Sequence, residues 1–194
     1  GENKFPYSVS LSMFRKEVKK SKPTVAKKIT VTVPTGPFKV KNSGTGKTNL
    51  FYQQENMYLC LKEETGKGLW GVPFTEPICG AAKTIDYYAN GKLQILFGAG
   101  TKLHLIDRLG RFVKGFPVDL KKEILIGPDV YDFNGTRRYN VMVLHKDNTI
   151  EMYNLKGQKP ESWKGITSSE IIRALPERII VGGNTFWVVR TSVQ

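Results

Sequence analysis

MYLCLKEETGKGLWGVP, residues 57–73, carries the pattern on which the fold turns: an alternating apolar run, a Thr-Gly turn and an aromatic residue close behind it. The pattern returns in LHLIDRLGRFVKGFPV, residues 103–118, and in IEMYNLKGQKPESWKGI, residues 150–166. Their aromatics Trp70, Phe116 and Trp163 stand 46 and 47 residues apart. Each unit opens with period-two residues, as in Met57, Leu59 and Leu61 against Tyr58 and Cys60, which predicts a strand with one buried face. Each strand then meets Gly66, Gly110 or Gly157, where the turn is expected to need a positive φ.

Upstream of these units lies a second periodic layer. LQILF (93–97) precedes GAGT (98–101), VMVL (141–144) precedes HKDNT (145–149), and IIV (179–181) precedes GGNT (182–185). Strand, tight polar turn and strand make a hairpin signature. A third layer pairs Asp86 with Asn90-Gly91 and Asp132 with Asn134-Gly135, and the two aspartates are 46 residues apart. Three layers sharing one period of 46–47 residues predict an all-β, propeller-like array of four-stranded antiparallel blades, each aromatic packing between neighbouring sheets. Common rings need at least about four blades. Three repeats, in a chain that opens on Gly1 without an initiator Met, therefore point to a partial propeller or a fragment of a larger one.

The first unit resembles the repeat of quinoprotein-type propellers, an apolar strand with an acidic residue followed by Thr-Gly, a basic residue, an apolar residue and Trp. Thr65, Gly66, Lys67, Leu69 and Trp70 match it, while Lys62 stands where an Asp is usual. Asp107 and Gly110 match in the second unit, with Phe116 in the aromatic place. GFPV and WKGI are similar to repeats of large bacterial envelope proteins with blades of this quinoprotein-like or WD40-like kind. The resemblance covers roughly residues 49–190 and implies a blade fold and a periplasmic or envelope location, with the cytoplasm as the alternative. It implies no cofactor: the metal-binding carboxylate and base of quinone-dependent dehydrogenases have no counterpart in these motifs.

The 194 residues read as one domain, a basic N-terminal β segment over 1–48 followed by about three blades over 49–194. Of the formal net charge of +13, most is local: residues 1–48 hold 11 Lys or Arg against two acids. Alternation over Tyr7–Met13 and over Ile29–Val33 predicts two strands, with a basic loop between them. In that loop Lys16, Lys19, Lys20, Lys22, Lys27 and Lys28 are candidate contacts for an anionic partner, nucleic acid or lipid surface, or else a solvated connection. Lys outnumbers Arg there, which suits point-charge attraction more than base reading. No apolar run is long enough to cross a membrane as a helix.

Motifs with catalytic chemistry are not found. Gly44–Thr48, GTGKT, lacks the leading Gly of a phosphate-binding loop, since Lys41 occupies that place, and strand rather than helix is expected after it. His104 falls in a strand and His145 at a hairpin turn, both read as structural or surface residues. Cys60 and Cys79 form no metal-ligand spacing and are either buried thiols or a disulfide between strands. Asp86 and Asp132 suit repeated turn caps, with a metal site at a central channel as the alternative. The expectation is a non-enzymatic binding or assembly module without metal or cofactor, presenting a propeller face to a protein partner. Two alternatives stay open: electrostatic nucleic-acid binding through the basic segment, and a carbohydrate-binding domain whose mark would be an exposed aromatic cluster beside a carboxylate pair.

Overall fold

The computed structural model describes residues 30–192, which contain strands and turns without a helix. Strands β1 (Phe38–Lys41), β2 (Thr48–Gln53), β3 (Leu59–Glu63) and β4 (Gly68–Val72) pair antiparallel in chain order to form the first blade. The arrangement repeats in β5 (Ile78–Ile85), β6 (Gln94–Ala99), β7 (Lys102–Asp107) and β8 (Val118–Asp119). It repeats again in β9 (Ile124–Tyr131), β10 (Asn140–His145), β11 (Thr149–Asn154) and β12 (Ile166–Thr167). The inner strands β5 and β9 touch in parallel at Gly80 and Gly127, joining the second and third blades. Close approach explains the glycines here: a Cβ on Gly98 of β6 would stand 2.9 Å from the Gly127 carbonyl oxygen.

A fourth unit follows. β13 (Ile171–Ile172) pairs with β16 (Thr191–Ser192), and β14 (Glu177–Val181) with β15 (Asn184–Val188) around a Gly182-Gly183 turn. Ile172 opposes Thr191 and Glu177 opposes Val188, so the two pairs are one long hairpin with an irregular step between them.

One hydrogen bond recurs at the three blade junctions among the described residues. The Ile78 amide donates to Gln53 Oε1 at 3.0 Å, the Ile124 amide to the Gly100 carbonyl at 2.9 Å, and the Ile172 amide to Asn148 Oδ1 at 2.7 Å. These isoleucines stand 46 and 48 residues apart; Ile78 and Ile124 open the inner strands of the second and third units, and Ile172 is the second residue of the fourth unit's first strand. Each clasp ties the turn after the second strand of one unit to the start of the next.

Among the described residues the core consists of three clusters, one per junction. Phe51, Leu61, Ile95, Phe97 and Ile106 fill the first, Leu96, Leu103, Leu105, Val141 and Val143 the second, and Met142, Leu144, Ile150, Met152 and Ile172 the third. The alternation expected of the strands that open the units is seen in Leu103 and Leu105 of β7 and in Ile150 and Met152 of β11, whereas β3 buries Leu59, Cys60 and Leu61 alike. β6 and β10 are buried along their whole length, and successive side chains go to different junctions, because each blade has a neighbour on both sides. Cys60, on the face opposite Leu59 and Leu61, is buried too, and both cysteines are free thiols.

Two further differences concern the N-terminal stretch. The part of the expected Ile29–Val33 strand that is described, residues 30–33, joins no ladder: Val31 and Val33 lie against the third cluster instead of alongside a strand. Residues 38–48, grouped by charge with the N-terminal segment, supply β1 and the start of β2. Ile29, the expected strand over Tyr7–Met13 and the six loop lysines lie outside the described residues.

Candidate binding face

Alternating strand direction gathers the turns after β1, β3, β5, β7, β9 and β11 at one end of the blades and those after β2, β6 and β10 at the other. The first end is braced by side chains bonded to backbone. Asp86 accepts from the amides of Asn90 at 3.0 Å and Gly91 at 2.9 Å, and Asp132, one repeat later, from those of Thr136 at 3.1 Å and Arg137 at 3.0 Å. Asp107 accepts from the amides of Leu109 and Arg111, and Asn154 from those of Lys156 and Gln158. These are self-contained turn caps. Arg137 also reaches from the third blade to Asp86 of the second at 2.8 Å, and Arg111 holds Asp107 at 2.7 Å. Burial opposes the charge on Asp86, but the amides of Gly91 and Asn90 and the Arg137 guanidinium outweigh it and draw the carboxyl below its ordinary range.

On this braced end the rings of Tyr87 and Tyr88 meet edge to face at 5.1 Å and form a ridge. Phe116 backs Tyr87 at 5.5 Å, while Tyr88 is 56% exposed. A hollow of about 390 Å³ lies on one flank, lined by Tyr88, Lys92, Leu93, Arg108 and Leu109 among others. A second, of about 500 Å³, lies on the other flank, with Tyr87, Phe133, Arg138, Leu155 and Lys156 in its wall. Arg111 and Arg137 are engaged by aspartates, but Lys92, Arg108, Arg138 and Lys156 have no ion pair among the described residues. At the opposite end the balance reverses: Lys121, Lys122 and Lys146 are paired with Asp119, Asp147 and Glu123, and Glu76 and Glu170 outweigh Lys102, which has no ion pair among the described residues.

The residues singled out by the repeat fall as follows. Gly66, Gly110 and Gly157 all have positive φ, between 77° and 95°. Trp70, half-buried, crosses from the first blade to the second, its Nε1 donating to the Arg108 carbonyl at 2.8 Å. Its ring lies on Gly110, where a Cβ would come within 2.9 Å, so Trp70, Asp107 and Gly110 meet at one junction. Phe116 packs against the second cluster. Trp163, in the third, donates to Glu151 Oε2 at 3.2 Å and meets Trp187 of the fourth unit edge to face. Tyr87, Tyr88, Arg108 and Arg138 were not singled out, although a Tyr-Tyr pair before one Asn-Gly turn and an Arg-Arg pair after the matching turn were visible signals.

His145 and the Gly44–Thr48 turn are held in the frame. His145 is buried, Nδ1 donating to the Glu123 carbonyl at 3.0 Å and Nε2 accepting from the Tyr153 hydroxyl at 2.7 Å. Gly44–Thr48 forms a turn bound by Asn42 and leads into β2. Among the described residues no three His, Cys, Asp or Glu side chains are grouped to hold a metal. The carboxylates nearest the tyrosine ridge are occupied by amides and guanidiniums, unlike the open pair that sugar binding calls for.

No family model and no curated protein matches the chain. Solved structures do match its fold. One is BBS1N, in complex with ARL6DN, with a TM-score of 0.51 and 14% identity over 75% of this chain and 43% of that one. Another is a protein of unknown function from Bacteroides caccae, with a TM-score of 0.44 and 10% identity over 75% of this chain and 49% of that one. The chain spans less than half the length of either. The first likeness and the blade topology place the protein among all-β, propeller-like folds.

Proposed function

We propose that the chain is a non-enzymatic binding module, built of quinoprotein-type blades, that presents its turn-braced end to a protein partner at the bacterial envelope. The observation that carries this reading is the Tyr87–Tyr88 ridge between two hollows, held on turns whose own polar groups are already bonded to one another. A preformed surface of aromatic and Arg side chains suits protein recognition, because little side-chain freedom is lost on contact. The complex named for BBS1N supports a propeller as a frame for a protein contact. The non-enzymatic reading is supported by Asp86, Asp107, Asp132 and His145, each spent on a structural bond.

A photo-crosslinking side chain placed at Tyr88, with a second variant carrying it at Lys146 on the opposite end, tests the reading in extracts of the source cells. The expected result is one protein adduct from the Tyr88 variant, recovered from the envelope fraction and missing from the Lys146 variant. Equal capture from both ends, or an adduct removed by nuclease, would refute it.

A further inference from the structure

We infer that the partner's contact is an acidic peptide stretch with interleaved apolar residues, lying across the Tyr87–Tyr88 ridge with carboxylates in both hollows. The inference rests on the protein-binding reading above. Each hollow holds two cations without a carboxylate partner among the described residues, Lys92 with Arg108 and Arg138 with Lys156. Arg137 neutralises Asp86 and Arg111 neutralises Asp107, and Asp132, capped by amides with no ion pair among the described residues, offsets only one of the two charges in the second hollow. The uncompensated charge on both flanks is therefore positive. A guanidinium matches a carboxylate through two parallel hydrogen bonds, which makes Arg108 and Arg138 the natural anchors.

Three observations favour a peptide over a nucleic-acid backbone. The cations come in two separated pairs divided by an aromatic ridge, not in the continuous track that successive phosphates need. Each pair stands beside apolar walls, Leu93 and Leu109 in one hollow and Phe133 and Leu155 in the other, which suit apolar side chains next to the acids. At the opposite end Lys121, Lys122 and Lys146 are in ion pairs, and Glu76 and Glu170 outweigh Lys102, unpaired among the described residues, so an acidic segment is drawn to one end and repelled from the other.

The test is fluorescence anisotropy on the full chain at about 50 mM salt. The probes are a labelled synthetic peptide of about twelve residues alternating Glu with Leu and Tyr, its Gln-for-Glu counterpart, and a single-stranded DNA of similar length. The Glu peptide is expected to bind and the Gln peptide not. Arg108→Gln and Arg138→Gln should each weaken binding about tenfold, and together more, while Lys146→Gln leaves it unchanged. Absence of binding by the Glu peptide, or equal binding by the double Arg variant, would overturn the inference. So would tighter binding of DNA through the same arginines, or a loss caused only by changing Lys19, Lys20, Lys27 and Lys28 to Gln, which would move the contact to the N-terminal segment. If the Tyr88 crosslink still captures a protein while the peptide fails, the acidic chemistry alone falls; if both fail, the protein-binding reading falls with it.

Discussion

His104 in β7 stacks on Phe97, with centroids 5.2 Å apart and planes 11° apart, and meets Phe74 edge to face at 4.9 Å. Burial in this aromatic packing, reinforced by the Lys102 charge, pulls its pKa from 6.5 down to about 4. A base depressed in the folded state leaves the unfolded chain to take up the proton first. Stability should therefore fall as the pH drops from about 6.5 to about 4, with the full loss reached below the folded pKa. Partial exposure tempers the loss to on the order of 2 kcal/mol. His145 is depressed too, mainly by burial, and acts in the same direction. Denaturant unfolding of the wild type and of His104→Phe at pH 7, 5.5 and 4.5 checks this. The wild type should lose stability through that range and the variant markedly less, whereas identical slopes would show that His104 is not buried in neutral form. The aspartate caps enter only at lower pH, because the amides and guanidiniums around Asp86 and Asp107 hold both below their ordinary range.

Asn148 carries the clasp of the fourth unit through its side chain. Its Nδ2 donates to the carbonyls of Ser168 at 3.2 Å and Glu170 at 2.9 Å, its Oδ1 accepts from Ile172, and its φ of 67° is one that Asn tolerates better than most residues. Asn148→Gly keeps the backbone free to adopt that angle but leaves the Ile172 amide without its acceptor, at a cost of about 1–3 kcal/mol. Hydrogen exchange should accelerate over residues 168–192 and stay unchanged in β3 and β4, which open without the fourth unit. Acceleration spread over all units would show that the clasp is not local. At this scale the sequence was informative about outer strands and turns, where period-two residues run into Gly66, Gly110 and Gly157. It was much less so about inner strands. β5 and β9 carry Gly80 and Gly127-Pro128, which look like breaks in a strand and are in fact where two inner strands approach. The candidate face was hidden for another reason: Tyr88, Arg108 and Arg138 come from three turns of two blades, and only packing of the second blade on the third sets them on two flanks of one ridge.

Across the whole molecule, the core belongs to the junctions between blades and not to the blades themselves. β6 sends Ile95 and Phe97 to the first junction and Leu96 to the second, and β10 sends Val141 and Val143 to the second and Met142 and Leu144 to the third. A unit buried on both sides is stabilised by two interfaces and a terminal unit by one, the energetics of a linear array with nearest-neighbour coupling. The fourth unit shows the consequence among the described residues: Ile180 and Val181 at the tip of its hairpin are 62% and 59% exposed, while Ile172 at its root is fully buried. Opening of that hairpin breaks one junction, but exchange from β6 or β10 requires two to be broken. Native-state hydrogen exchange in graded denaturant should therefore divide the amides into levels. β14 and β15 should exchange through a small opening and the first blade through a larger one, while β6 and β10 exchange only on global unfolding. Phe97→Ala, a large deletion at the first junction costing about 3–5 kcal/mol, should lower the first blade's level without raising exchange in β14 and β15. A single shared level for all strands would mean that the units unfold as one body and that the junction picture is wrong.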